Sequence, residues 1–233
     1  MAAALCGARA GGWAVHAGWL DPAHWRARLH AMTGADVEGR ANAAWPMRRE
    51  QHRLFVRPAD IVMIGDSLTH AGHWDDMFPA HRIANFGIDG DRTSDILRRI
   101  DEILATRPKQ AFLMAGTNDL AAGREVPAAF ADLVKIVERL RAAGVEVVLQ
   151  STLACRDCGA RTAQIRELNE RLGAWAAEAA VRPGAPLQWL DLNASLADTD
   201  GRLRAELTHD GVHLNGPGYV AWRAAIAPRL GPR

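Results

Sequence analysis

Cysteine is scarce in this 233-residue chain, and its three copies (Cys6, Cys155 and Cys158) do not make a disulfide framework. A surplus of one charge is also lacking: 28 Lys and Arg stand against 27 Asp and Glu, a net charge of +1. That balance offers no global attraction to nucleic acid or to an anionic membrane surface. No apolar run approaches the roughly 20 residues that span a bilayer, so no integral membrane segment is expected. The opening stretch MAAALCGARAGGWAVHAGWL has neither a basic start nor a sustained apolar core. It makes a poor signal peptide. Cys6 follows Leu5 rather than a small residue, which weakens a lipoprotein leader as well. The expectation is a soluble, cytoplasmic protein without internal repeats or low-complexity tracts.

What is present is an ordinary globular balance, 48% hydrophobic and 24% charged residues, in a length that suits one α/β domain with a modest arm. Residues 1–55 form the expected arm. They hold four of the eight tryptophans, Trp13, Trp19, Trp25 and Trp45, and a helix is read over DPAHWRARLHAM, where Asp21 can cap and Pro22 suits the first turn. Such an arm packs on the domain or on a second subunit, which leaves a homo-oligomer open. Residues 56–233 form the expected main domain. From Asp60 onward, IVMIG (61–65), RIANFG (82–87), AFLMAG (111–116), VEVVLQS (145–151) and LQWLDL (187–192) read as short buried strands.

Helical stripes lie between them. Ile96, Leu97, Ile100, Ile103 and Leu104 make one; Phe130, Leu133, Val134, Val137 and Leu140 another; Ile165, Leu168, Leu172 and Trp175 a third. PGYVAWRAAIAPRL, opened by Pro217, closes the chain as a fourth. Strands that are apolar throughout, alternating with helices, imply a parallel sheet covered on both faces. Right-handed crossovers then give a flavodoxin-like three-layer α/β sandwich around a central five-stranded parallel sheet. In such folds ligands bind beyond the carboxyl ends of the strands.

Those ends carry polar, small residues. The first strand delivers Gly65-Asp66-Ser67, the second NFGIDGDRTS with Gly87 and Gly90, the third Asn118 and Asp119, and the last is followed by LTHDGVHLNGPGY with Asp210 and His213. Each has an unremarkable alternative. Ser67 could cap a turn, Gly90 could only permit a positive φ, Asn118 or Asp119 could cap the next segment, and Asp210 with His213 could be a surface pair. Together they meet the demands of acyl transfer by serine, which needs a base, a carboxylate to orient it, and donors for the developing oxyanion. Residues three apart on a helical turn have Cβ atoms roughly 5–6 Å apart. Asp210 can therefore reach one nitrogen of His213 while the other faces Ser67. The N–H groups of Ser67 and Gly90 and the Asn118 amide could converge on one oxygen.

GDSLT (65–69), GIDGD (87–91), GTND (116–119) and DGVH (210–213) resemble, in order, the four blocks of the SGNH/GDSL hydrolases. The resemblance runs from about Asp60 to Trp222. NFGIDGDRTSDILRRI is similar to the branch of platelet-activating-factor acetylhydrolase subunits and bacterial carbohydrate acetylesterases. The family resemblance implies Ser67 as nucleophile, His213 as base with Asp210 as its orienting acid, and Ser67, Gly90 and Asn118 as the oxyanion hole; no cofactor is expected. His70-Ala71-Gly72 departs from the family pattern, which often places a glycine sooner.

The expected activity is hydrolysis of a short acyl ester, acetyl above all, on a small molecule or carbohydrate. The same triad also serves thioesterases, lysophospholipases and O-acyltransferases, and a ligand-binding module with a decayed site is the alternative from another class. Nine histidines compete for the role of base. His70 and His73 lack a carboxylate at an obvious spacing, and His209 adjoins Asp210, where neighbouring side chains point apart. HAGHWDD offers His70, His73, Asp75 and Asp76 as a rival metal shell, with no other ligand cluster in support. The GDSL turn lacks the Lys and flanking glycines of a phosphate loop. Cys155 and Cys158 read as two thiols in a loop on the catalytic side; a local disulfide or a redox-sensitive lid is the alternative.

Overall fold

Five short apolar runs become the strands of one parallel sheet: β1 Ile61–Gly65, β2 Ile83–Gly87, β3 Gln110–Met114, β4 Glu146–Gln150 and β5 Leu187–Leu190. The computed structural model describes residues 44–231. Two compact units divide the chain, Met1–Ala41 and Asn42–Arg233, and the described residues belong to the second. Its strand order is β2-β1-β3-β4-β5 with every pairing parallel, the expected flavodoxin-like arrangement.

The two-residue period of a strand sorts the core into two layers. Val62 and Ile64 of β1, Ala111 and Leu113 of β3, and Val147 and Leu149 of β4 face one cluster. It is closed by α4 Thr93–Arg98, α5 Ile100–Leu104, α7 Val126–Ala142 and α8 Arg161–Ala180. Ile61, Met63, Phe112, Met114 and Val148 face the other. There the cover is α2 Ser67–His70, α3 Trp74–Met77, α9 Asn193–Leu196 and α10 Gly216–Ile226. Both faces are dry, which is why these strands read as unbroken apolar runs.

One element departs from the sequence expectation. The stripe Ile96–Leu104 is not one helix, because it breaks at Arg99 (φ −112°, ψ 14°) between α4 and α5. The break turns Arg99 inward. Its Nε lies 2.9 Å and a terminal nitrogen 2.6 Å from Asp91 Oδ2, and the terminal nitrogen also donates to the Phe86 carbonyl at 2.6 Å. Both side chains are fully buried. Residues within the expected arm form α1 Ala44–Leu54. Trp45 is buried and donates its indole N–H to Asp91 Oδ1, and His52 lies against Phe86 with ring centroids 4.5 Å apart. Trp13, Trp19, Trp25 and the helix expected over DPAHWRARLHAM lie outside the described residues.

Removing one member of a buried ion pair strands the other in the interior, at a cost of about 3–5 kcal/mol. Asp91→Ala should therefore lower the unfolding free energy by about that amount in denaturant titration. Breaking the exposed pair Arg171–Glu167 on α8 should barely move it.

Candidate active site

The turn after β1 is built for one exposed hydroxyl. Asp66 is buried and caps α2, its Oδ1 accepting from Leu68 N–H at 3.0 Å. Ser67 is the first residue of α2, so its own N–H has no partner one turn earlier in the helix. Four residues cannot hold a helix in water by themselves, and side chains from elsewhere hold this one. Tyr219 Oη donates to the Leu68 carbonyl at 2.7 Å, and Trp74 Nε1 to that of Thr69 at 2.8 Å. Asn85 Nδ2 donates to the carbonyls of His70 at 2.9 Å and Gly72 at 3.1 Å.

Opposite Ser67 stands the long connection between α9 and α10. It is pinched by an antiparallel bridge between Thr208 and Leu214. Within it, Asp210 Oδ1 accepts from the N–H groups of Val212 at 2.9 Å and His213 at 2.8 Å, while Oδ2 lies 2.7 Å from His213 Nδ1. His213 Nε2 lies 3.1 Å from Ser67 Oγ. The three residues thus form a continuous hydrogen-bonded chain, with Asp210 and His213 each 52% exposed at the side chain. Partial burial pushes Asp210 up, but the donors from His213 and the two backbone N–H groups outweigh it and hold the carboxyl at about 2. Asp210 therefore stays ionised beside the imidazole. A carboxylate facing Nδ1 can only accept, so the proton sits on Nδ1 and Nε2 is free to take one from Ser67.

The loops after β2 and β3 bring the remaining candidates. Ile88–Asp91 is a turn closed by Asp91 N–H to the Ile88 carbonyl at 3.1 Å. Gly90 takes the third position with φ 78°, a conformation a side chain would strain, and it is exposed. Asn118, in α6 Thr117–Ala121, spends one amide hydrogen on the Asp91 carbonyl at 3.0 Å. That bond fixes its orientation and leaves the second hydrogen available. Its neighbour Asp119 is more than a turn residue. Fully buried, it accepts from Thr93 N–H at 2.9 Å, from the Thr93 hydroxyl at 2.7 Å and from Arg124, and so ties the end of β3 to the start of α4.

Two sequence readings are corrected here. Cys155 and Cys158 are not idle thiols but a disulfide, buried, with Cα atoms 5.7 Å apart. Their loop backs the one that carries Asp210 and His213: Arg156 N–H donates to the Gly211 carbonyl at 2.7 Å, between these two residues. The second correction concerns His70. Its ring does have a carboxylate, supplied by another loop: Nδ1 lies 2.6 Å from Asp89 Oδ1. His73 pairs instead with Asp76 at 3.4 Å, so the HAGHWDD side chains have different partners. Among the described residues no three His, Cys, Asp or Glu side chains gather as a metal would require. Asp89 was legible only as the residue before Gly90, and nothing in its spacing pointed back to His70.

Burial, the largest influence, pushes Asp66 up from 3.8 to about 7; the Leu68 N–H opposes this and Asp91 adds to it. Its value in the folded chain exceeds that in the unfolded chain, so between these values the folded state binds the extra proton. The contribution to stability is full below about pH 4 and is lost as pH rises through about 7. Asp66→Asn keeps the acceptor for Leu68. Its melting temperature should match the native protein near pH 4 and exceed it above pH 7. Replacing Cys155 and Cys158 by Ser should cost about 2 kcal/mol of stability, the chain-entropy value for so short a loop, and lower turnover through the freed Gly211 contact.

Several known proteins are similar to this chain. The platelet-activating factor acetylhydrolase IB subunit alpha1 of Rattus norvegicus is 28% identical over 181 residues, covering 72% of this chain and 76% of its own. A putative acylhydrolase from Bacteroides fragilis superposes with a TM-score of 0.70 at 24% identity, over 81% of this chain and 96% of that one. An acetylxylan esterase from Geobacillus stearothermophilus gives 0.62 at 17% identity, over 76% and 97%. These two solved structures share the fold. Residues 63–221 match the GDSL-like Lipase/Acylhydrolase family along their length, and this chain, a hydrolase, belongs to that family.

Proposed function

We propose that the protein is a serine esterase that removes a short acyl group, acetyl in the first place, from a small molecule or a carbohydrate. The observation that carries this reading is the unbroken chain from Ser67 Oγ to His213 Nε2 at 3.1 Å and from His213 Nδ1 to Asp210 at 2.7 Å. His213 Nε2 takes the Ser67 proton as Oγ adds to the ester carbonyl. The N–H groups of Ser67 and Gly90 and the free amide hydrogen of Asn118 receive the oxyanion. His213 then gives the proton to the departing alkoxide, leaving an acyl-enzyme on Ser67. Water, deprotonated by the same ring, releases the acid and restores the serine.

The half-exposed relay supports a short acyl group and a large, solvent-facing alcohol, because an open shelf gives a long chain little surface to bury against. Two of the three similar proteins carry acetyl in their names. The rat protein is named for acetyl release from platelet-activating factor, and the Geobacillus neighbour for acetyl esters of xylan. Thioester hydrolysis, lysophospholipid hydrolysis and transfer to an alcohol use the same acyl-enzyme and differ only in leaving group or acceptor. No helix among the described residues is long and apolar enough to cross a membrane. The cytoplasmic location expected from the sequence would require the Cys155–Cys158 disulfide to survive where thiols are mostly kept reduced.

A fluorophosphonate should label the native protein at Ser67 alone, and Ser67→Ala should lose hydrolysis by about 10⁴–10⁶ while melting normally. Labelling elsewhere would overturn Ser67 as the nucleophile, and no labelling would return the protein to a binding module. Along a p-nitrophenyl ester series, turnover should peak at acetate and fall by octanoate. Asn118→Ala should lower kcat by roughly 10²–10³ with KM nearly unchanged. A variant that melts early yet turns over normally makes Asn118 structural.

A further inference from the structure

A second histidine–carboxylate pair stands beside Ser67, and no step of the proposed reaction uses it. His70 ends α2, three residues after Ser67. Its Nδ1 meets Asp89 Oδ1 at 2.6 Å, and the side chains are 35% and 44% exposed. Asp89 is the second residue of the Ile88–Asp91 turn and immediately precedes Gly90. The pair therefore bridges the two backbone segments that carry the Ser67 and Gly90 N–H groups.

These segments are already pressed together at their bases. Any side chain at Gly87 would collide with the His70 backbone, and Asn85 clamps the His70 and Gly72 carbonyls while accepting from Gly87 N–H at 2.9 Å. The ends of the turn are also held. Ile88 N–H donates to the Gly65 carbonyl at 3.2 Å, and Asp91 is anchored by Arg99. The corner at Asp89–Gly90 lies at the surface, and a glycine corner is conformationally soft. Oxyanion donors are effective only when pre-set in place, and a short hydrogen bond to a carboxylate is a strong tether.

We propose that His70 and Asp89 are positioning residues for ester hydrolysis. Their bond fixes the spacing between the nucleophile turn and the Gly90 corner, and hence how well the developing oxyanion is met. A carboxylate can only accept, so Nδ1 carries the hydrogen. This rests on Ser67 and Gly90 having the roles given above, and acts through them without touching substrate.

The test uses the full chain with p-nitrophenyl acetate. His70→Leu and Asp89→Ala should each lower kcat roughly tenfold, less than the 10²–10³ for losing a donor outright. KM and melting temperature should stay close to native. The double variant should be no slower than the slower single, since one bond is lost in all three. His70→Asn, whose amide nitrogen stands where Nδ1 does, should recover most of kcat. Fluorophosphonate labelling of native Ser67 is run beside these, and its failure would remove the Ser67 assignment itself. With Ser67 labelled, four outcomes overturn the positioning role: unchanged kcat in both singles, a change confined to KM, a His70→Asn variant as slow as His70→Leu, or loss of folding in both singles.

Discussion

Arg99 brings a full positive charge into the interior at the break between α4 and α5, and Asp91 neutralises it. Charged groups are tolerated there only when paired and hydrogen-bonded, so this contact dictates its surroundings. Asp91 uses one oxygen for Arg99 and the other for Trp45, while its backbone carbonyl orients Asn118. Arg99 in turn holds the end of β2 through Phe86. The loop after β2, Asn118 after β3, and α1 thus converge on one residue, Asp91. The Gly90 corner is thereby held through its neighbour Asp91.

The relay on the other side of the site is built from local geometry. The Asp210 carboxylate satisfies two backbone N–H groups of its own turn and the His213 ring, so one side chain shapes the loop and sets the tautomer. Around that turn, Thr208 and Leu214 close the loop and Arg156 supports Gly211. The cysteine loop belongs to this support. Ser67 and His213 are carried on different loops, and Tyr219 of α10 ties the Ser67 turn to the element that follows the His213 loop.

The sheet was legible because a strand buried on both faces must be apolar at every position, and IVMIG, with all five residues buried, is the clearest case. The helices of α7, α8 and α10 were legible from their stripes for the same reason. The apparent single helix from Ile96 to Leu104 misled, since its apolar spacing is regular and does not show that Arg99, at the break, turns inward to the buried Asp91. Asp89 was opaque for a similar reason: its partner His70 lies 19 residues away, on another loop.

By itself the sequence determined the order and character of the strands, the helical stripes between them, and the residue types at each strand end: Ser67, Gly90, Asn118, Asp210 and His213. These follow from burial and backbone preference, which act over a few residues and leave periodic traces. Only the tertiary structure decided that Ser67 and His213, 146 positions apart, come within 3.1 Å, and that Cys155 and Cys158 close a disulfide behind Gly211. It also decided that Asp91, Asp119 and Asp66 are buried braces of the site. A charge shows in the sequence only as polar, and whether it faces water or a buried partner depends on what the fold packs against it.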